Sequence, residues 1–107
     1  MSLFDFLKSS DINAGMEVFR STPGAVLVDV RTPQEYRDGH IPESKNVPLQ
    51  SLEEMEGVVK DPKTPVFVYC YSGARSRQAA AMLGRMGYSS VKNIGGIADW
   101  KGEVEQR

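Results

Sequence analysis

The chain has 107 residues, 40% apolar and 25% charged, with 13 Lys+Arg against 14 Asp+Glu for a formal charge of −1. A chain of this length buries roughly two-thirds of its unfolded surface, so one core forms without disulfides or a structural metal, and two full domains do not fit. The near-neutral balance disfavours nucleic acid and anionic membranes as partners.

Single residues exclude more. The longest apolar runs, 66–71 and 79–83, fall far short of the roughly 18 residues that a membrane span needs. One cysteine, Cys70, and one histidine, His40, exclude an intrachain disulfide, a Cys-x-x-Cys pair and a Cys/His zinc cage within one chain. No metal or other cofactor is therefore expected, and any redox or sulfur chemistry falls to Cys70. Residues 1–8 lack the basic start, long apolar centre and small-residue cleavage site of a signal peptide, so a cytoplasmic location is expected. With no repeat, low-complexity tract or long linker, the whole of 1–107 reads as one domain with its core at about 11–102. Its tidy ends fit a complete small protein.

In chain order, Asp11 caps a first helix carrying Ile12, Met16 and Phe19 at helical spacing, and Thr22-Pro23-Gly24 ends it. Residues 25–30 are a short apolar, β-branched run, the pattern of a strand covered on both faces, and it stops in the polar pair Asp29 and Arg31. Thr32-Pro33-Gln34-Glu35 combines an N-cap threonine, proline at the first helical position and a glutamate to close a capping box, which predicts a short helix to Gly39. Residues 45–47 form a short strand ended by Pro48. Ser51-Leu52-Glu53-Glu54 repeats the capping box and predicts another helix with Leu52, Met55 and Val59 buried, broken by 61–65.

Val66-Phe67-Val68-Tyr69 is the clearest strand, and it delivers Cys70 to its carboxyl end. A helix over about 76–86 follows, burying Ala79, Met82, Leu83 and Met86, and Gly87 ends it. Residues 91–94 form a last strand before Gly95-Gly96 and a segment holding Trp100, and residues 103–107 read as a polar tail. Such alternation predicts an α/β fold, a mostly parallel central sheet with helices on both faces and a site where strands end and loops meet.

The segment Cys70-Tyr71-Ser72-Gly73-Ala74-Arg75-Ser76 is suited to an anion. Backbone N–H groups of a tight loop and the positive end of the next helix stabilise a thiolate without a histidine base. Gly73 takes positive φ at no steric cost, Ser72 and Ser76 add hydroxyl donors, and Arg75 adds a fixed charge. The plainer alternative is a turn whose glycine eases the bend and whose serine caps the helix.

Cysteine at a strand end, four intervening residues, Arg75 and a helix from Ser76 resemble the active-site loop of the rhodanese-like sulfurtransferases. Asp29-Val30-Arg31-Thr32-Pro33-Gln34-Glu35-Tyr36, then Gly39-His40-Ile41-Pro42 and Asn46-Val47-Pro48, resemble the family's first motif, and Gly95-Gly96-Ile97-Ala98-Asp99-Trp100 its last. The resemblance covers about 12–100. It implies a single rhodanese-like domain in which the loop from Cys70 to Arg75 encircles a persulfide. Cys70 is then the nucleophile and carrier, taking a sulfane sulfur from thiosulfate or a persulfide donor and passing it to a thiol or cyanide acceptor. Tyr71, Ser72, Gly73, Ala74, Arg75 and Ser76 form the substrate-binding loop, Arg75 attracts the anionic donor, and Tyr71 and Ala74 shape access. Arg31, with Asp29, is either a second anion-binding group or structural support through an ion pair with Asp29 or Glu35. His40 is expected to hydrogen-bond a neighbouring loop rather than act as a base, and Trp100 to pack. Gly95-Gly96 either lets backbone approach the loop or simply ends a strand. The chain departs from the family pattern at Glu43-Ser44-Lys45, where small residues are commoner, and this raises the question of a charged rim near the site.

Two further function classes compete. One is a non-catalytic or carrier module that delivers sulfur to a partner protein or regulates it; the retained cysteine argues against an inactive domain but not against a carrier. The other, a phosphatase or arsenate reductase of the same fold, is less favoured, because those enzymes place five residues between cysteine and arginine, and this chain places four.

Overall fold

A computed structural model describes residues 11–107; the reading of residues 1–8 lies outside them. In chain order the elements are α1 (Ile12–Arg20), β1 (Val26–Asp29), α2 (Pro33–Asp38), β2 (Lys45–Asn46), a 3₁₀ segment (Leu49–Glu54) running into α3 (Met55–Val58), β3 (Val66–Cys70), α4 (Ala74–Arg85), β4 (Val91–Gly96) and a 3₁₀ turn (Ile97–Asp99). The strands form one all-parallel sheet in the order β2-β1-β3-β4.

The period of two along a strand divides the core. Leu27, Phe67, Tyr69 and Ile94 face α1, which contributes Ile12 and Met16. Val28, Val66, Val68 and Cys70 face the other side, where Leu52, Met55, Val59, Ala79 and Leu83 cover them. Helices thus lie on both faces, as the alternation predicts. The α1 backbone rides directly on β4: a methyl on Gly15 would sit 2.5 Å from Ile94 Cβ.

Most predicted elements form within a residue or two of their predicted bounds. Asp11 caps α1 by accepting from the Asn13 N–H at 3.0 Å, and Thr32 and Glu35 complete the capping box of α2. The second capping box does not form. The chain turns at Pro48, Leu49 N–H is held by the Val30 carbonyl at 3.0 Å, and a 3₁₀ segment with no side-chain cap carries Leu52 into the core, followed three residues on by Met55 at the start of α3. Anchoring at the end of β1 overrides the local signal there, although the predicted apolar stripe is buried.

Helix α4 begins at Ala74, two residues early, because Gly73 at φ +103 makes the bend itself with no side-chain cap. Ser76 therefore lies inside the first turn rather than capping it. Strand β4 runs on through Gly96 past a bulge: Asn93 pairs with Val68, Gly95 with Tyr69, and Ile94 is the extra residue. The polar tail is docked rather than loose, as Glu105 exchanges backbone hydrogen bonds with His40 at 2.9 and 2.8 Å. No helix among the described residues is long and apolar enough to cross a membrane.

Candidate active site

From β1 the chain crosses to β2 on one side, and from β3 to β4 on the other, so the carboxyl ends of β1 and β3 flank the point where the crossovers diverge. Open parallel sheets place ligands at that crevice. Asp29 sits beside Tyr69 in register, and Cys70 follows at the end of β3 on the face covered by α4.

Cys70 is 1% exposed, with its sulfur under the start of α4. The Gly73 N–H lies 3.0 Å from Sγ and the Ser76 hydroxyl 3.5 Å, and the backbone N–H groups of Ser72 and Ser76 also act on it. Burial alone pushes the thiol up. The Ser76 hydroxyl and the amides of Ser76, Gly73 and Ser72 outweigh that and hold it below the ordinary cysteine range. Arg75 supplies a further favourable charge, since it and the thiolate attract each other.

The loop lies directly on the Gly95-Gly96 backbone. A methyl on Gly96 would overlap the Tyr71 carbonyl oxygen and sit 2.6 Å from Ser72 Cα, and one on Gly73 would meet Gly95 Cα at 3.4 Å. The glycine pair therefore permits close approach and also ends the strand. Tyr71, Ser72 and Ala74 are exposed at the rim, whereas Gly73 and Ser76 are buried. A cleft of about 330 Å³ opens beside the loop, lined by Arg31, Glu35, Asp38, Gly39, Tyr71 and Ile97.

Arg75 is engaged from behind. Its guanidinium donates to both Glu35 carboxylate oxygens at 2.8 and 3.0 Å, a bidentate pair joining α4 to α2. Arg75, then the Thr32 backbone and hydroxyl, overcome burial and hold the Glu35 carboxyl at about 2. Of the two partners the sequence offered Arg31, Asp29 and Glu35, it takes Asp29: Nε and Nη2 reach its carboxylate at 2.7 to 3.1 Å, and Nη2 also donates to the Gly39 carbonyl at 2.6 Å. Both partners are buried, and Arg31 also lines the cleft.

His40 Nδ1 bonds the Tyr36 carbonyl at 2.8 Å, its ring stacks on Tyr36 at 3.7 Å, and Nε2 faces Glu105 at 3.6 Å. Trp100 packs against the α1-side core, and its Nε1 donates to the Glu103 carbonyl at 2.8 Å. Glu43, at φ +80, lies near Arg20 at the end of α1. Among the described residues no three His, Cys, Asp or Glu side chains gather where a metal ion could be held.

Sequence reasoning passed over Asn93. Its side chain donates to the Gly73 carbonyl at 3.2 Å and accepts from the Gly95 N–H at 3.0 Å and the Ser76 hydroxyl at 2.7 Å. A polar side chain in a strand, two residues before Gly95-Gly96, was the available signal.

The fold is thus a parallel α/β sheet that presents a cysteine from a strand end to the backbone amides of Ser72, Gly73 and Ser76. The Rhodanese-like domain profile matches residues 17–103, and the chain belongs to that family. It is 40% identical over 73 residues to the thiosulfate sulfurtransferase PspE of Escherichia coli, covering 67% of this chain and 70% of that one. It is 43% identical over 81 residues to a sulfurtransferase of Allochromatium vinosum, covering 74% of each. A solved structure described as rhodanese with anions from E. coli superposes with a TM-score of 0.73 at 34% identity, over 78% of this chain and 99% of that one.

Proposed function

We propose that the chain is a single-domain sulfurtransferase that carries a sulfane sulfur on Cys70. The Cys70 thiolate attacks the outer sulfur of thiosulfate, or of a persulfide. A Cys70–sulfur bond forms, the donor's sulfur–sulfur bond breaks, and sulfite, or the donor thiolate, leaves with the bonding pair. A thiol or cyanide acceptor then attacks the outer sulfur and Cys70 departs as a thiolate. The amides of the loop from Tyr71 to Arg75 hold the charge on the terminal sulfur between the steps.

The observation that carries this reading is the 3.0 Å approach of the Gly73 N–H to Cys70 Sγ, with the Ser76 hydroxyl beside it, at the point where the parallel strands open. A buried thiolate needs that compensation, and a persulfide uses the same donors. Arg75 faces the incoming donor with its charge shared with Glu35, while Asp29 and Arg31 keep the β1 end of the crevice in shape. Tyr71 and Ala74 at the rim bound access, and a cytoplasmic thiol or protein acceptor would complete the cycle. No metal or cofactor takes part in this scheme.

Mass spectrometry of the reduced protein after thiosulfate, with a cyanide-to-thiocyanate assay, tests it. Wild type should gain one sulfur and form thiocyanate, and Cys70→Ser should do neither. Hydrolysis of an aryl phosphate without sulfur uptake would overturn the reading. Sulfur uptake released only to a protein thiol would make the chain a carrier.

A further inference from the structure

We infer that Asn93 is a positioning residue of the sulfur site: it shares the single Ser76 hydroxyl proton with Cys70 Sγ, receiving it while the sulfur is uncharged and yielding it when the sulfur is a thiolate. The inference rests on the proposed role of Cys70 as a sulfur nucleophile.

The Asn93 amide has only one orientation that fits. The Gly95 N–H can only donate, so Oδ1 must face it at 3.0 Å, and the Gly73 carbonyl can only accept, so Nδ2 must face it at 3.2 Å. Ser76 has one proton and three acceptors: Asn93 Oδ1 at 2.7 Å, the Gly73 carbonyl at 3.2 Å and Cys70 Sγ at 3.5 Å. The carbonyl already takes the Arg77 N–H at 3.1 Å and Asn93 Nδ2, so the contest lies between Oδ1 and the sulfur.

With a neutral thiol, a weak acceptor, the shorter bond to Oδ1 wins. With a thiolate, the charge-assisted bond wins and the hydroxyl turns to Sγ, while Oδ1 keeps the Gly95 N–H and is not orphaned. Once sulfur is taken, the charge moves to the outer atom and the hydroxyl returns to Asn93. When the acceptor removes that sulfur, the hydroxyl swings back as charge returns to Sγ. The same proton thus serves the nucleophile in the first step and the leaving group in the second.

The test is the pH profile of Cys70 alkylation by iodoacetamide on the full chain, with thermal unfolding as the check on folding. Charged groups around Cys70 are Arg75 on α4, Glu35 behind it on α2, and the Asp29–Arg31 pair at the end of β1. They are unchanged in every variant. Asn93→Ala frees the hydroxyl for sulfur and should lower the alkylation midpoint by about 0.5 pH unit, whereas Ser76→Ala should raise it. Asn93→Asp loses the bond to the Gly73 carbonyl, holds the hydroxyl more tightly and adds a negative charge, and should raise the midpoint by about 1 unit. In a Ser76→Ala background, Asn93→Ala should cause no shift. An upward shift in Asn93→Ala, or a downward one that persists without Ser76, overturns the inference. If Asn93→Ala does not fold, Asn93→Asp decides across the two backgrounds: its upward shift should shrink when Ser76 is alanine, and an unchanged midpoint, or an equal shift with and without Ser76, overturns the inference. Because alkylation needs no sulfur donor, these profiles decide the role of Asn93 even if the wild type takes up no sulfur.

Discussion

Two ion pairs at the crevice differ in what they contribute, and burial is the reason. Arg75–Glu35 is about one-third exposed on each side, so removing it should cost under about 1 kcal/mol, while removing one partner of the enclosed Asp29–Arg31 pair strands a buried charge and should cost far more. The Glu35 carboxyl is held at about 2 in the fold against an ordinary 4.5. A depressed carboxylate adds stability that is complete above the ordinary value and is lost as pH falls through the folded one. Urea denaturation of wild type and Glu35→Gln should therefore show a gap that is full above about pH 5 and closes between 4.5 and 2. A gap that stays constant down to pH 2 would remove Glu35 from the acid response.

At the scale of elements, the close contact of the Cys70 loop with β4 decides the site. Gly96 has backbone of the loop where a side chain would be, so Gly96→Ala must displace Tyr71 and Ser72. Overpacking of this kind costs about 1–3 kcal/mol, and sulfur transfer should fall at least about tenfold as the amides leave the sulfur. Gly84, near the end of α4, faces open space: a methyl group there would meet nothing within 4 Å, so Gly84→Ala should raise stability by about 0.5–1 kcal/mol with transfer intact. Urea midpoints and the thiocyanate assay read both. A Gly96→Ala variant with full activity would show that the loop tolerates a retreat of the strand.

For the molecule as a whole, the last residues tie the end of the chain to the crevice wall. Glu105 bridges to His40, the Arg107 N–H donates to the Arg37 carbonyl at 3.1 Å, and Gln106 donates to the Asp38 carbonyl at 3.0 Å. Removing residues 103–107 should cost about 1–2 kcal/mol, from the two backbone bonds at His40 and the packing of Val104 on Gly39. For a chain of this size that lowers the melting temperature by several degrees. Hydrogen exchange at the His40 amide should speed up most, and unchanged protection there would mean the tail adds nothing to the fold.

Much was determined by local sequence. The strand around Val66 to Tyr69 and the Thr32–Glu35 capping box depend on propensity, alternation and side-chain reach within a few residues, and they form as the chain reads. The place of Cys70 at a strand end followed from the same local patterns, and three separated motifs pointed to the family. Tertiary structure decided what lies between segments far apart in sequence. The Ser51 capping box gave way to an anchor at the end of β1, Arg75 found Glu35 forty positions away, and the pairing of β4 with β3 set Asn93 against the loop. Charge pairing and close backbone approach depend on which strands lie side by side. That order is set by the burial of both sheet faces together, which no local window of sequence contains.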